Sequence, residues 1–285
     1  MINMEVMRDE FGFIDITELK PLTREFDHFW IEYNDKKYYF KKTKISENYN
    51  ELIAEELAKD FKIPCAHYDL AIYNDSTGVI SENILNEFDK YISIENILKE
   101  YFKDLEVVDK RNNLEDIWNA IDYKYNDPVL TKRLMDQLVN IFMFDSLIGN
   151  IDRHVDNYGI IENDLGVNFA PLFDNEKMLS SSIYDGGYSL GIDKDDYFFN
   201  EIDFEPDRNF LKKFFFVSSS EYIDYYKSKL HIISEENIDK VLKRVEIRTN
   251  SEITETLKKQ IKDKFNKNRN MINNVLEQTK QRKLV

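Results

Sequence analysis

Residues 149–159 read Gly-Asn-Ile-Asp-Arg-His-Val-Asp-Asn-Tyr-Gly, and two short apolar runs later the chain reaches Phe173-Asp174-Asn175. Asp152 is followed five positions on by Asn157, and a second aspartate, Asp174, stands beyond a hairpin whose turn falls at residues 163–166. Those residue types suit phosphoryl transfer. One carboxylate meets a hydroxyl nucleophile, while an amide oxygen and another carboxylate hold a hard divalent cation, which selects oxygen ligands, on the phosphates of a nucleotide. The hairpin would keep the two ligand sets at a set separation. Asp152, Asp156 and Asn157 are equally the residues that make turns between a helix and a strand, so the spacing alone leaves both readings open.

The order of charged residues upstream adds to the first reading. Lys41 lies in the strand-like run Tyr38-Tyr39-Phe40-Lys41-Lys42, and Glu51 and Glu55 lie on the helix that follows. A phosphate-binding lysine held by a helix glutamate is the ion pair such a site still requires. Lys42 competes for the role, but neighbouring strand residues face opposite ways, so a single ammonium enters the cleft. Lys41 is taken as that one, which puts Tyr39 on its face and sends Phe40 and Lys42 to the other. His154 is read as a hydrogen-bonding partner that orders the loop, Asp145 on an apolar helix as a buried acceptor for loop amides, and Cys65 as packing. Ser180, Ser181 and Ser182 form either a solvated loop or a set of phosphate acceptors.

Elements must position these residues. Phe29, Ile31 and Tyr33 recur at period two, Asn34-Asp35 signals a turn, and residues 28–42 read as a hairpin. Ile53, Leu57 and Phe61 then repeat every four residues on a helix, with Ser46 as N-cap, Glu51, Glu55 and Glu56 elsewhere on the wheel, and Ile63-Pro64 as its end. Strands follow at 67–73 and 79–85 around a turn at 74–78. From about residue 90 the period is helical, with helices expected over 131–148, 207–230, 234–245 and 251–280. Residues 149–205 are the least regular stretch and hold six of the eight glycines; loops of this kind carry chemistry. No internal repeat or low-complexity segment is present.

Composition narrows the function classes. At 285 residues the chain can bury a sizeable core without staples, and its single cysteine excludes an intramolecular disulfide framework. The start of the chain lacks a basic region followed by an apolar run, and no segment approaches about 18 uninterrupted apolar residues. The expectation is a soluble, cytoplasmic protein that contacts no membrane. A net charge of −15 disfavours a broad nucleic-acid-binding surface, although residues 251–285 are locally basic and read as a solvated helix face.

The segment GNIDRHVDNYGII followed by FAPLFDN resembles the core signature of HipA-like kinases, the bacterial Ser/Thr kinases related to the HipA toxin and to compact CtkA-type proteins. NELIAEELAKDFKIPCAHYDLAIY and GVIS resemble the helix C and following strands of that family, so clear motifs span roughly residues 28–180. The resemblance implies an α+β, bilobal protein-kinase-like fold: a small mixed β-sheet N-lobe with one helix at 1–85, and a larger, mostly helical C-lobe at 86–285. The catalytic loop would be 149–158 and the metal-binding loop 173–180. By the same resemblance Asp152 is the catalytic aspartate, Asn157 and Asp174 are metal ligands, Lys41 is the nucleotide lysine and Glu51 its partner. ATP and Mg²⁺ are implied, with transfer to Ser or Thr of a protein substrate, autophosphorylation, and an antitoxin-type partner. A kinase of small molecules or lipids, and a catalytically weak ATP-binding regulatory module, are the competing readings. Two departures stand out. The family usually has Gly soon after the second aspartate, where this chain has Asn175-Glu176-Lys177, and no Gly-rich loop precedes Lys41, since Gly12 is the only glycine in the first 77 residues.

Overall fold

A computed structural model of the chain describes residues 8–9, 11–23, 27–103, 114–150, 153–179 and 220–282. Asp152, the serine run 180–182 and residues 207–219 of an expected helix lie outside this set. Five strands form the first sheet: β1 (Ile14–Asp15), β2 (His28–Tyr33), β3 (Lys36–Lys42), β4 (Tyr68–Tyr73) and β5 (Ser76–Glu82), in the order β1-β4-β5-β3-β2. All neighbours are antiparallel except β1, which runs parallel to β4.

Both hairpin turns are built from Asn-Asp. Asn34 and Asp35 have φ of 51° and 59°, and Asn74 and Asp75 have 46° and 63°. Two consecutive left-handed residues match the twist of the flanking strands, and short polar side chains tolerate that conformation. The second turn is therefore tighter than the expected 74–78, and β5 begins at Ser76, paired with Tyr73.

Alternation along the strands gives the sheet two buried faces. Phe29, Ile31, Tyr38, Phe40, Ala71 and Ile80 form an outer core with Ile14 and Ile16 of the N-terminal segment. Leu70 and Val79, one residue out of step, belong instead to the main core with helix α1 (Ile45–Phe61). The helix starts one residue before Ser46; Lys44 is the N-cap, and its N–H is accepted by the Glu47 carboxylate at 3.4 Å, so the expected Ser46 cap is corrected. Lys62, left-handed at φ 69°, closes the helix just ahead of Ile63-Pro64. Glu51, Glu55 and Glu56 are all buried.

For Glu55 and Glu56 that burial is possible because cations meet the helix. Arg244 Nε lies 2.8 Å from Glu56, its Nη2 2.9 Å from Asp60, and Arg248 Nη1 2.8 and 3.1 Å from Glu55 and Glu56. Both arginines belong to α6 (Glu235–Thr249), one of the C-terminal helices α5 (Ser220–Lys229), α6 and α7 (Glu255–Arg282). Between the sheet and these helices come β6 (Lys90–Ser93), α2 (Ile94–Phe102), α3 (Leu114–Tyr125), α4 (Pro128–Ile148), β7 (Gly159–Asn163) and β8 (Gly166–Phe169). Strand β6, inside a stretch expected to be helical, pairs with β7 to complete a three-stranded sheet, β6-β7-β8. Gly159 is obligatory there: a Cβ would stand 2.5 Å from Ile92 O and 2.6 Å from the Tyr91 ring.

Helix α4 delivers the polar loop. Asp127 caps its start by accepting the N–H groups of Val129 and Leu130, with Pro128 in the first turn, and Gly149 at φ 64° ends it. Its last eight residues, 141–148, are all buried, Asp145 among them. The expected α+β class holds, with a sheet-rich N-terminal region and a helical C-terminal region.

Candidate functional site

A cleft of about 580 Å³ lies between the first sheet and the β6-β7-β8 region, a size suited to a small-molecule site. Trp30, Tyr39 and Lys41 line it from β2 and β3, while Tyr91, Asn157, Phe173 and Asp174 line it from the opposite side. Four of the sequence-selected residues, Lys41, Glu51, Asn157 and Asp174, line this one cavity. Strand alternation does the sorting: Phe40 is buried in the outer core, and Lys42 is exposed, 3.8 Å from Asp27.

The two polar loops are held together by Arg153, a residue that the sequence reading did not single out. Its guanidinium is fully buried and bidentate on Asp145, with Nε and Nη2 each at 3.0 Å from a carboxylate oxygen. Nη1 donates to the carbonyls of Asn157 at 3.1 Å and Phe173 at 2.6 Å, and Nη2 to Asn175 Oδ1 at 2.5 Å. One side chain therefore fixes the spacing between the Asn157 and Asp174 loops. Burial works against the charge, but Asp145 more than offsets it and holds the guanidinium pKa above its ordinary value. A sequence signal was present. Buried Asp145 needs a counter-charge, and Arg153 is the single Lys or Arg in residues 134–176. Among the described residues, the expectation that Asp145 accepts loop amides is met by Asn150, whose side chain donates to it at 3.1 Å.

Lys41 does not pair with Glu51, which corrects the expected lysine–helix ion pair. Its ammonium lies 2.6 Å from Asp174 and 3.1 Å from Glu176. Burial would lower the Lys41 pKa, yet Asp174 and Glu176 raise it above the usual lysine range. Glu51 instead accepts the backbone N–H of Asn175 at 2.8 Å and its side-chain amide at 3.3 Å, both on Oε2. Burial, reinforced by the nearby Asp174 charge, pushes Glu51 up to about 8. Asp174 adopts φ 59°, uncommon for a residue other than glycine; Tyr68 Oη accepts its N–H at 3.1 Å.

The remaining candidates take other places. His154 orders the loop through its carbonyl, which accepts the Asn157 N–H at 2.8 Å, while its ring is half-exposed and 3.8 Å from Asp156. Cys65 packs against the main core, and burial raises its thiol pKa. Glu55 turns away from the cleft to His67, at 2.8 Å, and to Tyr68 N–H. Burial lowers the His67 pKa, but Asp69 and Glu55 outweigh it and the net shift is upward. A histidine raised in the folded state adds stability that is complete below the unfolded value of about 6.5 and is lost as pH rises through the folded one. The melting temperature of His67→Gln is therefore expected to fall below the parent's at pH 6 and to approach it by pH 9. A gap that widens with pH would contradict the pairing.

No protein-family model matches the chain, and no curated protein sequence does. Solved structures match along nearly its whole length. The chain is similar to the crystal structure of the Helicobacter pylori proinflammatory kinase CtkA, with a TM-score of 0.65 at 17% identity, over 94% of this chain and 98% of that one. It is also similar to a chain in the HipA, HipB and operator DNA complex of a Shewanella oneidensis MR-1 toxin–antitoxin system, with a TM-score of 0.57 at 18% identity, over 97% of this chain and 70% of that one. The sheet-and-helix architecture and the two neighbours agree: this chain has the HipA-like kinase fold.

Proposed function

We propose that the chain is an ATP-dependent kinase that transfers the γ-phosphate to a Ser or Thr hydroxyl of a protein. The observation that carries this reading is the convergence of Lys41, Asn157 and Asp174 on one cleft, with both polar loops clamped by Arg153. Lys41 neutralises nucleotide phosphates as a point charge. Asp152 receives the acceptor hydroxyl's proton. One carboxylate and one amide oxygen suit Mg²⁺, which takes one or two protein ligands and completes its shell with phosphates and water; Asn157 and Asp174 would hold it, and it would neutralise charge on the phosphates being transferred. Phe173 and Tyr91, whose rings lie 6.2 Å apart, form an apolar wall against which a base can pack.

We place the boundary between the two lobes at residues 85 and 86, with the nucleotide between them. The chain's likeness to a protein seen with HipB and operator DNA supports an antitoxin-type partner. Among the described residues no helix is long and apolar enough to cross a membrane, and we assign the protein to the cytoplasm. A second reading, a weakly active ATP-binding regulatory module, is favoured by one observation: both carboxylates at Lys41 must share it with incoming phosphates.

Phosphoryl transfer from labelled ATP in the presence of Mg²⁺ and cell extract, followed by mapping of the modified residue, tests the proposal. Lys41→Met is expected to reduce the initial rate at least a hundredfold, in line with the loss of a major charge contact in the transition state, and Lys42→Met to leave it nearly intact. ATP titration by calorimetry should show that Asp174→Ala weakens binding more with Mg²⁺ than without. Equal rates for the two lysine variants, or Mg²⁺-independent loss at Asp174, would remove the site assignment. Binding without any transfer by the parent would favour the regulatory module.

A further inference from the structure

We infer that Glu176 is the positioning residue for Lys41, doing from the loop after Asp174 what a helix glutamate was expected to do from α1. The inference rests on the kinase reading and deepens it at the same site.

The geometry begins with what Glu51 is doing. Both of its hydrogen bonds go to Asn175, so the carboxylate on the helix holds the loop rather than the lysine. The neighbouring polar residues of α1 do the same. Asn50 Nδ2 donates to the Glu176 carbonyl at 2.7 Å and to the Met178 carbonyl at 3.0 Å, and Glu47 lies 3.3 Å from Lys177 Nζ. Residues 47, 50 and 51 stand at i, i+3 and i+4, on one face of a helix, and that face grips residues 175–178.

The gripped loop then presents Glu176 to Lys41. Oε2 of Glu176 lies 3.1 Å from Lys41 Nζ, and Oε1 lies 3.3 Å from Lys177 Nζ, so both oxygens are oriented and the side chain is only 13% exposed. Helix α1 therefore acts on the lysine at one remove, through the loop. Lys41 has one other carboxylate partner among the described residues, Asp174. In the proposed mechanism that carboxylate would hold the metal ion, and would then be shared between the cation and Lys41. Glu176 is the partner that remains, and it keeps the ammonium from following Asp174 or swinging to solvent. Misplacing a catalytic group by about 1 Å can cost about 100-fold in rate, so the expected effect is on turnover more than on affinity.

The test compares the full-length parent with Glu176→Gln, Glu176→Asp and Glu51→Gln. In the nucleotide-free protein, the ¹H–¹⁵N signal of the Lys41 ammonium, assigned by its loss in Lys41→Arg, should shift or vanish in Glu176→Gln, persist in Glu176→Asp and change less in Glu51→Gln. With MgATP, Glu176→Gln should lower kcat about 10- to 100-fold while the calorimetric Kd stays within about threefold, and Glu176→Asp should recover part of the loss. The inference is overturned if Glu176→Gln leaves the Lys41 signal and kcat at parent values. It is equally overturned if that variant binds ATP more tightly and turns over faster, which would make Glu176 a competitor of the phosphates. A parent that transfers no phosphate sinks the kinase reading instead, and the ammonium signal then decides by itself whether Glu176 holds Lys41.

Discussion

Arg153→Leu is expected to lower stability by about 3–5 kcal/mol, because it leaves the Asp145 carboxylate buried without its counter-charge. Both side chains are fully inaccessible to solvent, so solvent screening does not reduce the effect. For a chain of this size each kcal/mol moves the melting temperature by about 2–4 °C, which puts the variant roughly 10 °C below the parent in a thermal melt. Combining it with Asp145→Leu should return much of that stability, since a buried pair replaced as a whole by apolar groups is often neutral. Activity should not return with it. Arg153 also holds the carbonyls of Asn157 and Phe173 and the side chain of Asn175, and nothing apolar can register the two loops in that way. A double variant that melts like the parent and also transfers phosphate would show that the clamp serves stability alone.

The second large effect is expected at Asp152. Asp152→Asn should lower phosphoryl transfer about 10²- to 10⁴-fold, the usual range for loss of a positioned general base, and leave ATP affinity within several-fold. The motivation is its place at the head of the Asp-x4-Asn spacing, where the carboxylate serves the acceptor hydroxyl and the nucleotide is bound by other residues. Rapid-quench measurement of the first turnover, beside an ATP titration, separates the two quantities. Undiminished turnover removes the assignment, and so does a folded variant that no longer binds ATP.

How much of this was legible in the sequence depended on how local each feature is. The 28–42 hairpin was readable because a left-handed Asn-Asp pair and period-two alternation lie within fifteen residues, and that alternation also sorted Lys41 from Lys42. Strands β1 and β6 were not readable. They are two and four residues long, and their partners lie more than fifty residues away, so no local period marks them. Helix α1 was found, but the burial of Glu55 and Glu56 was not readable, because the arginines that make it tolerable come from α6, about 190 residues on. The ligand candidates could be found by spacing. Which carboxylate meets Lys41 could not, because it is set by the path of residues 173–179. That path turns on a left-handed Asp174, a conformation that its own sequence does not announce.

The arginine contacts between α6 and α1 also have a mechanical consequence. Swinging α1 outward would break the pairs of Arg244 with Glu56 and Asp60 and those of Arg248 with Glu55 and Glu56 together, and would leave Lys59 of the helix itself as the lysine at Glu55 and Glu56. The helix is thus riveted to the C-terminal body and shares its cooperative unit of unfolding. Any hinge that opens the cleft must run along the seam between α1 and the five-stranded sheet, whose inner face meets the helix through apolar side chains such as Leu70 and Val79. Those apolar contacts can slide, and where Glu55 parts from His67 and the Tyr68 N–H it keeps Arg248 and Lys59 as partners.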